Sequence, residues 1–317
     1  MEHFLGVDIG GTNTRLMLMN DQQIFQDYQK VPTHSWATLE DPLRGLEQVI
    51  AAYLQVSRVS VTGVMLGLPG ILSRDRSTVL SLPFIPALDN QPVTQQLSAR
   101  LGLPVCMDKD VNHLMWWDLT RLDVLPDVAV GVYLGTGFGN SLWLNNDFYH
   151  GAHGGAGEIG HIPLKDNPLL CPCGKTGCVE TLTSGNWLSG WAKQHVPETA
   201  ISDLFVEHAD HPDLQEFIER LARTVASEMN ILDPQYLLLG GGVLAMAGFP
   251  LARLERLIRS HLRSPYPASG LTIAISGVSE ETGCRGACLA AQRRLKQGST
   301  AQSLSTSARH LVFRSEA

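Results

Sequence analysis

The chain has 317 residues, of which 44% are hydrophobic and 17% charged, and its 24 basic and 31 acidic residues give a net charge of −7. This composition is typical of a soluble globular protein long enough to bury two cores, and the absence of a basic block excludes an obvious nucleic-acid or membrane-surface protein. The N-terminus shows no leader pattern and no apolar run approaches the roughly 18 residues that span a bilayer, so we expect a cytoplasmic protein with reduced thiols.

Two stretches of the chain resemble each other. FLGVDIGGTNTRLMLMND, residues 4–21, and VGVYLGTGFGNSLWLNND, residues 130–147, each contain an apolar strand, a glycine turn, a second strand and an Asn/Asp turn. The repetition predicts two related α/β domains that open in the same way. Two unrelated hairpins are the alternative.

Further elements of the first half follow in order. A helix is predicted around residues 42–56 and a strand over residues 61–70, and a short strand, LPVCM, precedes the segment DKDVN at residues 108–112.

The second half contains a long amphipathic pattern. Its apolar positions predict a helix over residues 211–234, ended by Pro234, and a strand over residues 236–243. Cys284 and Cys288 lie four apart in a helical stretch and are predicted to be core residues rather than ligands. The last 20 or so residues, polar and rich in Ser and Thr, are expected to be poorly ordered.

Three glycine turns follow apolar strands, at residues 8–12, 135–139 and 240–243. Glycine lets backbone N–H groups approach a phosphate closely, and three such turns are a stronger signal than one. None has the Walker A or the full GxGxxG spacing, which argues against a P-loop or Rossmann site. The candidate nucleotide contacts are Gly10, Gly11, Thr12, Gly135, Thr136, Gly137, Gly139, Gly241 and Gly242.

Carboxylates lie beside two of these strands. Asp8, near Thr12, is suited to hold hydrated Mg²⁺, although a turn aspartate is the simpler interpretation. Asp110 and Asn112 follow a strand end, where an aspartate can take a proton from an attacking hydroxyl; a helix N-cap is the alternative. Glu158 and His161, in a glycine-rich loop, suit a polyhydroxylated ligand, or form a solvated pair.

A Cys/His cluster occupies residues 161–178. His161, Cys171, Cys173 and Cys178 provide one imidazole and three thiols, which is a complete tetrahedral zinc set with no position left for water. We therefore predict a structural zinc rather than a disulfide. The metal would also fix the loop before it and hold Glu180 near the same site.

These motifs resemble the signature of the ROK family of sugar kinases and sugar-responsive repressors. The order DIGGT, GLPG, DVN, GTGFG, GAHGGAGEIGHIPL, CPCGKTGCVET and LDPQYLLLGGGV carries the likeness from residue 4 to about 292. The resemblance implies the actin-like ATPase fold, an α/β architecture of two ribonuclease-H-like lobes with ATP and sugar meeting between them. We expect a small lobe of residues 1–110 plus about 293–317 and a larger lobe of residues 111–292.

The resemblance also implies roles. Asp110 becomes the expected catalytic base, and His161, Cys171, Cys173 and Cys178 the expected zinc ligands. The expected cofactors are ATP, Mg²⁺ and Zn²⁺, and the expected assembly is a homodimer without nucleic-acid or membrane partners. The expected sugar contacts are Lys109, Asn112, Glu158, His161, Glu180, Pro69 and Gly70.

The sequence departs from the glucose-type pattern at two sugar positions. Lys109 stands where Asn usually precedes the catalytic Asp, and Phe84 of LPFIP stands where the sugar segment has Asn. A basic residue before the Asp, the phosphate-loop stretch GTGFGNSLW and the loop GAHGGAGEIGHIPL resemble D-allose-phosphorylating members. This likeness implies ATP-dependent phosphorylation of the 6-hydroxyl of D-allose. A glucokinase, an N-acetylmannosamine kinase and a fructokinase are the alternatives.

A repressor or a silent sugar sensor of the same family is the rival from another class. We do not expect a repressor, because the first glycine turn begins at residue 8 and a winged helix-turn-helix of roughly 80 residues does not fit before it. We do not expect a silent sensor, because Asp8 and Asp110 are retained.

Overall fold

The computed structural model contains both strands and helices and describes residues 2–123, 125–277 and 279–308, with side chains through residue 296. The strands are β1 His3–Ile9, β2 Asn13–Asn20, β3 Phe25–Pro32, β4 Gly63–Leu68, β5 Ile71–Leu72, β6 Val79–Ser81, β7 Val105–Lys109, β8 Val128–Leu134, β9 Phe138–Leu144, β10 Asp147–Phe148, β11 Tyr236–Gly240 and β12 Thr272–Ile275. The helices are α1 His34–Ala37, α2 Pro42–Ser57, α3 Val93–Leu101, α4 Asp110–Leu122, α5 Gly185–His195, α6 Leu204–Glu207, α7 Pro212–Leu232, α8 Leu251–Ser260 and α9 Thr282–Ala308.

Two sheets have the same strand order. The first runs β3-β2-β1-β4-β7 and the second β10-β9-β8-β11-β12. In each, the opening strand pairs antiparallel with its hairpin partner, β2 or β9, and parallel with a later strand, β4 or β11. The internal repeat predicted from the sequence is therefore confirmed, since the two related stretches form equivalent hairpins in equivalent sheets.

The chain divides into two compact units by its internal contacts. The first comprises residues 1–69, 76–116 and 283–317, and the second residues 70–75 and 117–282. The sequence-based division placed residues 111–116 and 283–292 with the second domain. The difference at the C-terminal side arises because α9 packs on β1: a Cβ at Gly283 would lie 2.6 Å from the Asp8 carboxyl carbon.

Helix α7 lies in the core of the second unit. Its face Leu214, Phe217, Ile218, Leu221, Val225 and Met229 is buried, as the amphipathic pattern predicts. Pro212 occupies its first turn, where the missing N–H costs nothing, and the helix ends at Asp233, whose φ is 46°, just before Pro234.

The central strands β4 and β11 are apolar and almost entirely buried. Every residue of β4 is buried, which is typical of a parallel strand inside an α/β sheet. Cys284 and Cys288 are buried on α9, and the Cys288 thiol lies 3.2 Å from the Met17 carbonyl oxygen, so their prediction as core residues is confirmed.

The C-terminal helix extends into the segment that the sequence predicted to be poorly ordered. Helix α9 continues to Ala308, and residues 309–317 lie outside the described part of the chain. Among the described helices, none combines the length and the apolar character needed to cross a membrane.

Candidate functional site

The predicted site residues of the first unit gather at one edge of its sheet. Strands β1, β4 and β7 are parallel neighbours, so their carboxyl ends lie at the same edge. The first glycine turn follows β1, Pro69 follows β4, and Asp110 follows β7. Ligands of α/β proteins bind at this edge of parallel strands, and three motifs that are far apart in sequence meet there.

The first glycine turn is closed by its own backbone. The Gly10 N–H donates to the Asn13 carbonyl at 3.0 Å. The Thr33 hydroxyl donates to the Gly10 carbonyl at 2.7 Å, and the Thr33 N–H donates to the Thr12 carbonyl at 2.9 Å. Because the carbonyls are engaged and Gly11 and Thr12 are exposed, this turn can present its outer surface to a phosphate.

Asp8 lies on β1 below this turn and pairs with Arg15. The Arg15 guanidinium is 3.3 Å from Asp8 Oδ2, and the Asp8 side chain keeps about a sixth of its surface exposed. Burial raises the pKa of Asp8 above its ordinary value, while the charge and hydrogen bond of Arg15 oppose that shift. A Mg²⁺ ion at Asp8 would therefore share the carboxylate with Arg15.

Asp110 is the first residue of α4. Its Oδ1 accepts the Val111 N–H at 2.8 Å, and the residue is partly exposed. This bond to the adjacent residue is not that of an N-cap, whose side chain accepts from the second or third helical N–H, and Asp110 is itself the first residue of α4. Its position at the helix N-terminus also stabilises the charged form of the carboxylate.

A hydrogen-bond network surrounds Asp110. The Asn112 amide is buried and donates to Asp108 Oδ1 at 2.9 Å, so its nitrogen is engaged inside the protein. The Lys109 N–H donates to the same oxygen at 2.8 Å, and Arg76 Nε lies 3.0 Å from it. Sequence reasoning missed Asp108 and Arg76, because residues 32 positions apart carry no shared local pattern.

The two departures from the glucose-type pattern lie in different surroundings. Lys109 is buried at the end of β7. Phe84 is 57% exposed, and its ring lies 3.0 Å from where a Cβ at Gly11 would be. Phe84 therefore offers an apolar face beside the first glycine turn.

The second unit repeats the edge arrangement. Strands β8 and β11 are parallel neighbours, so the turn after β8 and Gly241 after β11 lie at the same edge. Gly241 has a φ of 99°, and its backbone lies too close to Leu134 to allow a side chain. Gly242 faces open space.

Glu180 supports the glycine turn of residues 135–139. Its Oε2 accepts the Phe138 N–H at 2.7 Å, and a Cβ at Gly137 would lie 2.7 Å from that oxygen. The glycine thus makes room for the carboxylate, and Glu180 has one oxygen committed to the turn.

Helix α5 begins against the same turn. The Gly185 N–H donates to the Gly135 carbonyl at 2.8 Å, and the Asn186 N–H donates to the Thr136 carbonyl at 3.0 Å. These bonds satisfy helix-terminal donors and orient the turn, in which Thr136 stays exposed and Gly139 is already part of β9.

The predicted zinc ligands converge. The donor atoms of His161, Cys171, Cys173 and Cys178 all lie within 4.8 Å of one another. His161 Nδ1 is 3.6 Å from the Cys171 sulfur, and the Cys173 and Cys178 sulfurs are 3.6 Å apart. Tetrahedral Zn–S bonds of about 2.3 Å place sulfurs about 3.7 Å apart, so the donor set and its spacing fit zinc.

The chain around the cluster turns tightly. Gly174 and Gly177 have φ values of 88° and 87°, the left-handed region that glycine enters without strain. The Cys171 N–H donates to the Lys175 carbonyl at 2.8 Å. Burial raises the pKa of the Cys171 thiol to about 12, and a bound cation reverses this effect by stabilising the thiolate.

His161 connects the cluster to Glu158. Its Nδ1 faces the thiols, while its Nε2 lies 3.7 Å from Glu158 Oε2, and both side chains are about 30% exposed. An imidazole that binds a metal through one nitrogen is commonly oriented by a carboxylate at the other. One residue can thus serve the metal and a ligand next to Glu158.

Comparison with known proteins gives a family and close structural relatives. The sequence matches the ROK family over residues 4–294. It is 32% identical to a glucokinase of Streptomyces coelicolor over 62% of this chain, an alignment that spans only 60% of that relative. It is 30% identical to an N-acetyl-D-glucosamine kinase of Vibrio vulnificus over 76% of this chain and 84% of the relative.

A solved structure shares the fold. An ROK-family glucokinase of Streptomyces griseus, solved with glucose and AMPPNP, superposes with a TM-score of 0.75 at 27% identity and covers 92% of this chain and 99% of its own. The architecture is the actin-like ATPase fold, as expected from the motifs.

Proposed function

Because this chain belongs to the ROK family, we propose that it transfers the γ-phosphoryl group of ATP to the 6-hydroxyl of a hexose, with D-allose as the preferred sugar. The observation that carries the proposal is the position of Asp110. It stands at the sheet edge where the first glycine turn also lies, on the first turn of a helix. The relatives named above support the coarser assignment as a sugar kinase.

In this proposal Asp110 accepts the proton of the attacking hydroxyl. Backbone N–H groups of the turns at residues 8–12 and 135–139 orient the phosphates, and Glu180 keeps the second turn in place. Mg²⁺ bound with ATP supplies charge neutralisation at the phosphates. Glu158 and His161 contact sugar hydroxyls.

The Cys/His cluster supports a structural zinc site in the same proposal. Four protein donors fill a tetrahedral shell. The metal therefore takes no part in phosphoryl transfer, and its contribution is to hold the loop that carries Glu158 and His161.

The preference for D-allose is supported by Phe84 and Lys109. Phe84 supplies an apolar ring face where glucose-type members have an amide, so a hydroxyl that pairs with that amide loses its partner.

A coupled kinase assay tests the proposal. The panel contains D-allose, D-glucose, D-fructose, N-acetyl-D-mannosamine and N-acetyl-D-glucosamine. The last is included because one relative is named an N-acetyl-D-glucosamine kinase. ATP-dependent ADP release with D-allose at the highest kcat/KM supports the proposal. A different preferred sugar contradicts the substrate, and inactivity with every sugar contradicts the kinase assignment.

A further inference from the structure

Arg76 has an unfavourable backbone conformation. Its φ is 58°, in the left-handed region that disfavours a residue with a side chain. Its side chain is only 6% exposed. A strained residue that also buries a cation persists only where its surroundings fix it, and such residues cluster at functional sites.

The guanidinium of Arg76 faces Asp108. Arg76 Nε lies 3.0 Å from Asp108 Oδ1, in an ion pair rather than a linear hydrogen bond. Burial lowers the pKa of Arg76 below its ordinary value, and the Asp108 carboxylate opposes this. Each charge of this ion pair therefore offsets part of the cost of burying the other.

Asp108 uses the same oxygen to hold the strand-to-helix junction. Oδ1 accepts the Lys109 N–H at 2.8 Å, where β7 ends, and the Asn112 amide at 2.9 Å, in the first turn of α4. Asp110 lies between these two bonded positions. Arg76 thus neutralises the carboxylate that links the residues on either side of Asp110.

We infer that Arg76 is a positioning residue for phosphoryl transfer: through Asp108 it fixes the first turn of α4, and with it the direction of the Asp110 carboxylate. The inference rests on the proposed role of Asp110 as the base. Arg76 itself touches neither substrate nor nucleotide in this account. Misplacing a catalytic group by about 1 Å lowers rates by up to about 10²-fold.

The first test is Arg76→Gly, which removes the cation and the backbone strain together. Its matched control is Arg58→Gly, because Arg58 has a φ of 56° and is exposed at the end of α2. We expect kcat to fall by about 10-fold or more in Arg76→Gly, with the KM values for sugar and ATP changed less than about 3-fold. Arg58→Gly keeps the kcat of the wild type.

The second test is a double-mutant cycle with Asp108→Asn. If Arg76 acts through Asp108, the double variant loses no more kcat than the worse single variant, whereas independent residues give multiplying losses. Arg76→Gln, which keeps the length of the side chain without its charge, replaces Arg76→Gly if that variant is insoluble, and the same loss of kcat is expected.

Wild-type kcat in Arg76→Gly or Arg76→Gln, or multiplying losses in the cycle, overturns the inference and leaves the proposed function standing. A wild-type protein that phosphorylates no hexose counts against the proposed function instead. In that case the same cycle is measured on melting temperature, where additive losses for Arg76 and Asp108 overturn their coupling.

Discussion

Among single side chains, Glu228 has a charge state that changes near neutral pH. It lies on α7, and its Oε2 accepts the Asn140 amide at 3.0 Å. Burial raises the pKa of Glu228 to about 7, and the bond from Asn140 opposes the shift. The Asn140 carbonyl oxygen lies 2.8 Å from where a Cβ at Gly157 would be. Asn140 therefore connects the Glu228 carboxyl to the loop that carries Glu158.

We expect Glu228 to make stability fall as pH rises. Its pKa in the folded state is about 7, above the ordinary value of 4.5, so the folded state binds more protons than the unfolded state between these two pH values. The resulting stabilisation of the fold, at most about 3 kcal/mol, is present at low pH and is lost as pH rises through 7. Thermal melting of Glu228→Gln from pH 4.5 to 8 should show a flatter profile. Glu216→Gln, an exposed change on the same helix, should keep the wild-type profile; equal slopes in wild type and Glu228→Gln would contradict the shift.

Asp110 is the side chain that takes the hydroxyl proton in the proposed mechanism. Asp110→Asn keeps the size and the hydrogen bond to the Val111 N–H but cannot accept the proton, so we expect kcat to fall at least about 10²-fold with sugar affinity nearly unchanged. Steady-state kinetics and calorimetric sugar titration measure the two quantities. Asp210→Asn, at an exposed position, is the control. Near-normal turnover in Asp110→Asn would show that the residue has only a structural role at the start of the helix.

At the level of secondary-structure elements, the segment of residues 161–178 depends on side chains rather than on regular structure. It is held by isolated bridges, Pro163 with Cys178 and Leu170 with Thr176, and by the convergence of the Cys/His donors. Such a segment buries little apolar surface: Leu170 is 73% exposed. A metal ion can supply the stability that packing does not.

We expect about one zinc per chain, bound without sugar or ATP. Cys173→Ser removes one of three thiolates, so it should lose the metal and become sensitive to limited proteolysis within residues 155–180. Elemental analysis and mass mapping of the cleavage sites measure both effects. Cys106→Ala, which lies outside the cluster, should keep the metal. Protein purified without chelators that contains no zinc would contradict the site.

Helices and strands with a regular spacing of apolar residues could be predicted from the sequence. Contacts between side chains far apart in the sequence could not. The helix at Pro42–Ser57 and the strand Tyr236–Gly240 follow apolar patterns that need no tertiary information. Arg76 could not be found in this way, because its proposed role depends on its left-handed backbone and on its ion pair with Asp108 of β7. The Phe84 contact with Gly11 is equally non-local.

For the chain as a whole, the repeated sheet explains why one set of motifs appears twice. Each unit places a glycine turn after its opening strand and a second site segment after the parallel neighbour of that strand. The units differ in what surrounds the turn. The first carries Asp110 on α4, and the second carries Glu158, Glu180 and the Cys/His cluster. The homodimer implied by the family resemblance remains a prediction, which light scattering after size exclusion measures.

For the molecule as an enzyme, the proposed function predicts that kcat/KM for D-allose exceeds that for D-glucose. A glucose hydroxyl left without its amide partner costs about 1–3 kcal/mol, or roughly 5- to 150-fold. We expect the Phe84 ring to accommodate the C3 epimer, whose hydroxyl points elsewhere. Lys109→Asn combined with Phe84→Asn should move the ratio toward glucose. Val56→Asn, at a side chain 82% exposed on α2, controls for a new surface amide. A wild type that prefers glucose, or a ratio unmoved in the double variant, would contradict D-allose while leaving the kinase assignment, which rests on the family match, intact.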